Sequence, residues 1–167
     1  MRNFAGLVKV EDLKREMRAQ YSALRDAGVA VSHVDGHGHN HRLPRSLRAL
    51  AELRSELGFA KVRRCQDLTA AGGKAGLLSR AMNGCLQKLF DRTGFKSTDH
   101  FLMNAGHSSD PNWFSKAIKS LPEGVTEIGV HPGVDEEFRK IDIEDCFANC
   151  AALCRKYSIA MINFNDI

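Results

Sequence analysis

Over residues 10–27, Leu13, Met17, Tyr21 and Leu24 fall on one apolar stripe with charged side chains between them. That spacing fits the 3.6-residue period of a helix with one buried face. Gly28 can take the left-handed backbone that ends it. Residues 29–37 then read Val-Ala-Val-Ser-His-Val-Asp-Gly-His, β-branched at first and alternating afterwards, and predict a strand. Pro44 opens a second helical stripe through Leu47, Leu50, Ala51 and Leu57, and Gly58 stops it. Residues 59–65 predict a short strand carrying Arg63 and Arg64. Residues 75–90 predict a helix with Leu78, Met82, Cys85, Leu86 and Leu89 inward, and residues 100–104 a strand. Asp110-Pro111 is a helix start, a cap followed by a first-turn proline, for a helix ending near Leu121-Pro122. Residues 125–130 predict a strand, 143–157 a helix and 159–164 a last strand.

Strands alternating with helices at this spacing imply βαβ crossovers and a parallel sheet. The expected fold is α/β, a single domain over residues 1–167 with about five parallel strands. Functional side chains in such folds gather at the C-terminal ends of strands. Composition narrows the partners. No apolar run approaches the ~20 residues of a membrane span, and Met1-Arg2-Asn3-Phe4 leads into no signal-peptide core. The net charge of +4 is modest and the basic residues are interspersed with acids, which argues against nucleic acid. The five cysteines include no CxxC pair, and Cys146, Cys150 and Cys154 at four-residue spacing read as core thiols. A reducing cytoplasm is the expected compartment. Lys74 follows Gly72-Gly73, but Ala75 stands where a phosphate-binding loop needs Ser or Thr.

The chemistry concentrates in His33-Val34-Asp35-Gly36-His37-Gly38-His39-Asn40-His41, which holds four of the seven histidines. On a strand His33, Asp35 and His37 share a face. Imidazole and carboxylate are the usual ligands of a divalent metal, so a metal or catalytic role is expected here rather than a solvated polar loop. Arg63-Arg64 and His131 fall at the ends of later predicted strands, and His100 and His107 read as surface residues.

These motifs resemble a known family. His33 to His41 is similar to the HxDSHxHxH stretch of the YdjC-like carbohydrate deacetylases. Glu16 to Gln20 resembles the E-x-x-x-Q of the helix before it, and Arg63 matches an arginine on the next strand. Thr126-Glu127-Ile128-Gly129-Val130-His131-Pro132-Gly133 resembles T-E-[IV]-x-x-H-P-G, and Asn163-Phe164-Asn165-Asp166-Ile167 the closing strand. The resemblance implies the second half of a (β/α)-barrel-like fold, the C-terminal part of the family without its N-terminal strands. It implies a divalent cation, Mg or Zn, with His37 as the ligand kept here. The remaining Asp and His ligands and an aspartate base would lie upstream. The implied substrate is an N-acetylated sugar. His131 is then the candidate acid, and Arg63 the group that stabilises the oxyanion or holds acetate. Asp35 is a partner orienting an imidazole; His33, His39 and His41 are ligands, orienting groups or sugar contacts. The other expectation is a catalytically inactive module that keeps the packing and binds a partner. Unpaired strand edges of a half-barrel lead us to expect a homo-oligomer, with no nucleic acid or membrane partner.

Overall fold

The computed structural model describes residues 8–64, 68–69, 77–104 and 110–167. The chain groups into two compact units. The first comprises Met1–Cys65, Ala81–Ser97 and Phe164–Ile167, the second Gln66–Arg80 and Thr98–Asn163.

The first unit begins with helix α1, Val10–Asp26, which has no fully buried residue and lies on helix α2, Pro44–Leu57. Met17 is its apolar contact with the core, and ion pairs Lys14–Glu52 (2.9 Å) and Arg18–Glu56 (2.6 Å) tie the helices along their exposed sides. Glu16 and Gln20 bond to each other within α1, Nε2 to Oε1 at 2.7 Å. Helix α2 starts with proline at its first turn and stops where Gly58 adopts φ 73°, its N–H donating to the Arg54 carbonyl at 3.0 Å. Its inner face, Leu47, Leu50 and Leu53, packs with Phe59, Val62, Phe90 and Phe95. Each such side chain removed from water contributes about 1.5–3 kcal/mol.

Three extended segments of this unit run parallel. Val34 bridges Val62, and Lys61 bridges Lys96, with Val34 N–H donating to Lys61 O (3.0 Å), Arg63 N–H to Val34 O (2.9 Å) and Val62 N–H to Lys96 O (3.0 Å). Helix α2 joins the first two segments, so this is a parallel crossover. The predicted strand over residues 29–37 is reduced to the bridge at Val34. Gly38 (φ 60°) and His39 (φ 57°) are left-handed, and they fold His37–Arg42 into a 3-10 turn instead of continuing the strand.

The second unit holds a parallel sheet in the order β1–β2–β3: β1 Leu68–Thr69, β2 His100–Met103 and β3 Thr126–Gly129. His100 pairs with Thr126 and Met103 with Gly129. Helix α4, Trp113–Ile118, crosses between β2 and β3. Trp113, Phe114 and Ile118 pack on Leu102 of the sheet and on Ile141 and Cys146. Those two belong to a continuous helical run made of α5 (Glu137–Ile141), a π-helical stretch Asp142–Phe147 and α6 (Ala148–Lys156). The α/β class therefore stands. The regular sheet has three strands among the described residues, against about five expected, and no barrel is seen in either unit. The predicted strand over 159–164 is not a strand among the described residues, and Phe164–Asp166 forms a 3-10 turn. Helix α3, Leu77–Asp91, forms as expected, yet Leu78, Met82 and Cys85 are exposed rather than inward, and Phe90 is its buried residue. Cys146 and Cys154 are buried and Cys150 half-buried, as core thiols should be.

Candidate functional site

In the first unit, the chain after Val34 places a carboxylate, a guanidinium and a buried imidazole together. Parallel bridging of Val34 to Val62 sets Asp35 beside Arg63, and the two form an ion pair through Oδ2 and Nη1. The other oxygen of Asp35 lies 3.4 Å from His41 Nδ1. His41 is 3% exposed and accepts the Gly36 N–H on Nδ1 at 2.9 Å. A Cβ at position 36 would sit 2.8 Å from the His41 amide nitrogen, so only glycine closes this turn without strain. Gly36 O accepts His39 N–H (2.8 Å), and His37 O accepts Asn40 Nδ2 (2.8 Å). His39 stands edge-on to His41 with ring centres 6.1 Å apart. Arg42 is held by Asn83 Oδ1 at 3.1 Å.

The remaining predicted residues divide. His33 and His37 have different surroundings. His33 stacks on Phe164 at 3.8 Å with Ser32 Oγ at 2.9 Å from its Nδ1, while His37 is exposed at the start of the turn. The strand needed to align His33, Asp35 and His37 ends too early. Arg63 is engaged by Asp35 and does not stand alone as an oxyanion donor. His131 belongs to the second unit, two residues beyond β3. There its backbone N–H donates to Asp142 Oδ2 at 2.7 Å, and its ring meets Phe138 edge-on at 6.0 Å. Its Nδ1 is buried with no hydrogen-bond partner among the described residues. His107 lies outside the described residues, and His100 is half-buried.

Sequence reasoning missed two acids that build this second region. Asp142, fully buried, accepts Trp113 Nε1–H at 2.9 Å with one oxygen and His131 N–H with the other. Asp145 accepts the Phe114 and Ser115 N–H groups (2.9 and 3.2 Å) and Ser115 Oγ–H (2.7 Å), satisfying the start of α4 from outside it. The available signal was their position: both acids share the helical stripe of the buried Ile141 and Cys146. Acids on such a stripe need partners.

Burial holds the imidazoles of His33, His39 and His41 below their ordinary range. His39 is pushed down to about 4, with His41 and Arg42 adding to the effect. Unfolded histidine titrates near ~6.5. As the pH falls from there toward 4, the unfolded chain takes up protons that the folded chain refuses, so stability falls through that window. His39→Gln should flatten part of this decline. Urea midpoints measured between about pH 7.5 and 4.5 check it, and a parent whose midpoint does not drop over that range sinks the assignment.

The described residues do not by themselves complete a metal site. A divalent ion needs at least about three protein donors, and among the described residues no three His, Cys, Asp or Glu side chains are grouped to hold one.

Parallel strands joined by helices place the chain in the α/β class. The sequence model of the YdjC-like protein family matches residues 1–159, nearly the whole chain, and the chain belongs to that family. The expectation that only its C-terminal part is represented is not borne out by that match. No curated protein matches the chain. No helix among the described residues is long and apolar enough to cross a membrane.

Proposed function

We propose that this chain is a hydrolase of the carbohydrate-deacetylase type, removing acetyl groups from N-acetylated sugars. Family membership over residues 1–159 carries the reading, since the family is associated with that activity. The Asp35–Arg63–His41 cluster is the centre we assign to it. Asp35 bonds Arg63 through one oxygen and faces His41 with the other, and burial holds the His41 imidazole neutral, to bind rather than to carry charge. His131 is the candidate acid, oriented through the backbone by Asp142. His33, His39 and the exposed His37 are the remaining sugar or metal contacts. A divalent cation, Mg or Zn, enters through the family, which is typically metal-dependent, and His37 is its proposed ligand. Because the described donors are incomplete, no step is derived through the ion. The same incompleteness favours the second reading, a non-catalytic module that binds the sugar or a partner without turnover. Cytoplasmic location and self-association complete the proposal. The exposure of Leu77 (85%) and Leu78 (83%) supports burial against another surface.

The test is acetate release from a chito-oligosaccharide with added magnesium, zinc or nickel, alongside metal analysis and solution mass of the full chain. Release with a metal, lost in His131→Ala and reduced in His37→Ala, is the expected result. Sugar binding without release under every metal selects the module instead, and absence of both abandons the carbohydrate assignment.

A further inference from the structure

We propose that the turn Phe164–Asp166 is a strap, closed in the free protein over the polar face that carries Asp35 and Arg63, and that it lifts when that face binds its ligand. Naming that ligand an N-acetylated sugar rests on the hydrolase reading above; the strap itself does not. Register places it. Val34 bridges Val62 in parallel, so His33 lies beside Lys61 and Asp35 beside Arg63. Val62 is fully buried in the core of the first unit, and Val34 packs against that core. Side chains alternate across paired chains, so His33, Asp35, Lys61 and Arg63 turn to the opposite face. The Asp35–Arg63 ion pair stands there. One register step before it, about 6.6 Å along the chain, Phe164 covers the other two residues. Its ring stacks on His33 with centroids 3.8 Å apart and planes 7° from parallel, and its carbonyl accepts a hydrogen bond from Lys61 Nζ.

Phe164 is placed as a clasp is, and not as a core residue is. It belongs to neither hydrophobic core and is half-buried. Residues 160–163 leading to it are exposed, and so are Asn165 and Asp166 after it. The magnitudes agree. An aromatic pair contributes about two- to tenfold to such an equilibrium, and one hydrogen bond of ordinary strength about a similar factor. Together they favour the closed form by roughly ten- to a hundredfold, which leaves an open minority on the order of 1–10%. A ligand that binds only the open form shifts so small a difference readily.

What the strap occupies is suited to binding. Ser32 Oγ, 2.9 Å from His33 Nδ1, steadies the imidazole from its edge, so the ring keeps its face toward the strap. Lys61 gives the strap a carbonyl that a polar ligand can replace with an oxygen of its own. With the strap lifted, an imidazole face, an ammonium and the carboxylate–guanidinium pair stand in adjacent register positions on one face. A flat ring beside a few placed polar groups is the composition of a small-molecule site.

Phe164→4-fluorophenylalanine in the full chain gives a fluorine signal that reads the strap directly. In the free protein that signal should stand away from its position in denaturant, and adding N,N′-diacetylchitobiose should move it toward that position. Phe164→Ala should bind the disaccharide about tenfold more tightly, because apparent affinity is lowered in proportion to the fraction of chains that are closed. A core aromatic gives the opposite results: Phe164→Ala unfolds or binds no better, and the fluorine signal holds still while the disaccharide binds. Either result overturns the strap and leaves the hydrolase reading standing. If the disaccharide binds neither the parent nor Phe164→Ala, the hydrolase reading falls and the free protein decides the strap. Lys61→Met should then move the fluorine signal part of the way toward its denatured position, and a signal left in place overturns the strap.

Discussion

Asp142→Ala is expected to cost about 3–5 kcal/mol of stability, the range for breaking a buried charged hydrogen-bond network. The carboxylate is fully buried and divides its oxygens between two donors in different parts of the second unit, Trp113 Nε1–H at 2.9 Å and His131 N–H at 2.7 Å. Alanine leaves both donors unsatisfied and opens space beside the indole. Removing a buried charge also relieves its desolvation, which holds the loss well below the sum of two charge-assisted bonds. Asp142→Asn should fall between, because its carbonyl serves one donor while its NH₂ confronts the other. Trp113 is the chain's one tryptophan and is fully buried, so its emission reports on this neighbourhood without interference. Denaturant titration followed by that emission measures the effect. A variant within about 1 kcal/mol of the parent, with unshifted emission, would show that Asp142 is not the anchor described.

Asp142 also marks where the sequence was legible and where it was not. Local signals located α2 to the residue, because Pro44 and Gly58 act through their own backbones and need no partner. The β2 and β3 segments followed from short β-favouring runs between turn residues, and both are parallel as the alternation implied. Outcomes that depend on distant contacts were hidden. The run Val29-Ala30-Val31 has the composition of a strand, but strand is defined by a partner, and among the described residues only Val34 of this segment finds one. On α3 the apolar spacing was real, yet which face is covered depends on what packs there, and Leu78 and Met82 are left outside. At the site, composition singled out the run of residues His33 to His41. Its geometry was hidden, because the two left-handed residues Gly38 and His39 fold the chain after His37 into a 3-10 turn, at the end of which His41 comes within 3.4 Å of Asp35. Histidine gives little warning of such a backbone, although it tolerates it better than most residues do.

The second large effect concerns Asp35. Asp35→Asn should lower acetate release by about 10²-fold or more, the scale on which a positioned charged group contributes to hydrolysis, while changing stability little. The geometry argues for this division. Asn keeps the shape and can still offer an oxygen to Arg63, and the pair is partly open to solvent, with side chains 20% and 33% exposed. Pairs of that kind contribute roughly 0–1 kcal/mol to folding. What Asn cannot supply is the negative charge that opposes Arg63 and Arg42 around His41. With it gone, an acetyl oxygen would meet guanidinium groups no longer held in place, and the neutral ring would sit in an unbalanced positive field. Asp35→Glu moves the carboxylate by one methylene and should recover only part of the rate. Acetate release and urea midpoints measured on the same preparations separate the two contributions. Equal loss of rate and stability would make Asp35 a structural residue, and an unchanged rate in Asp35→Asn would move the reacting centre elsewhere in the chain, with His131 the first place to look.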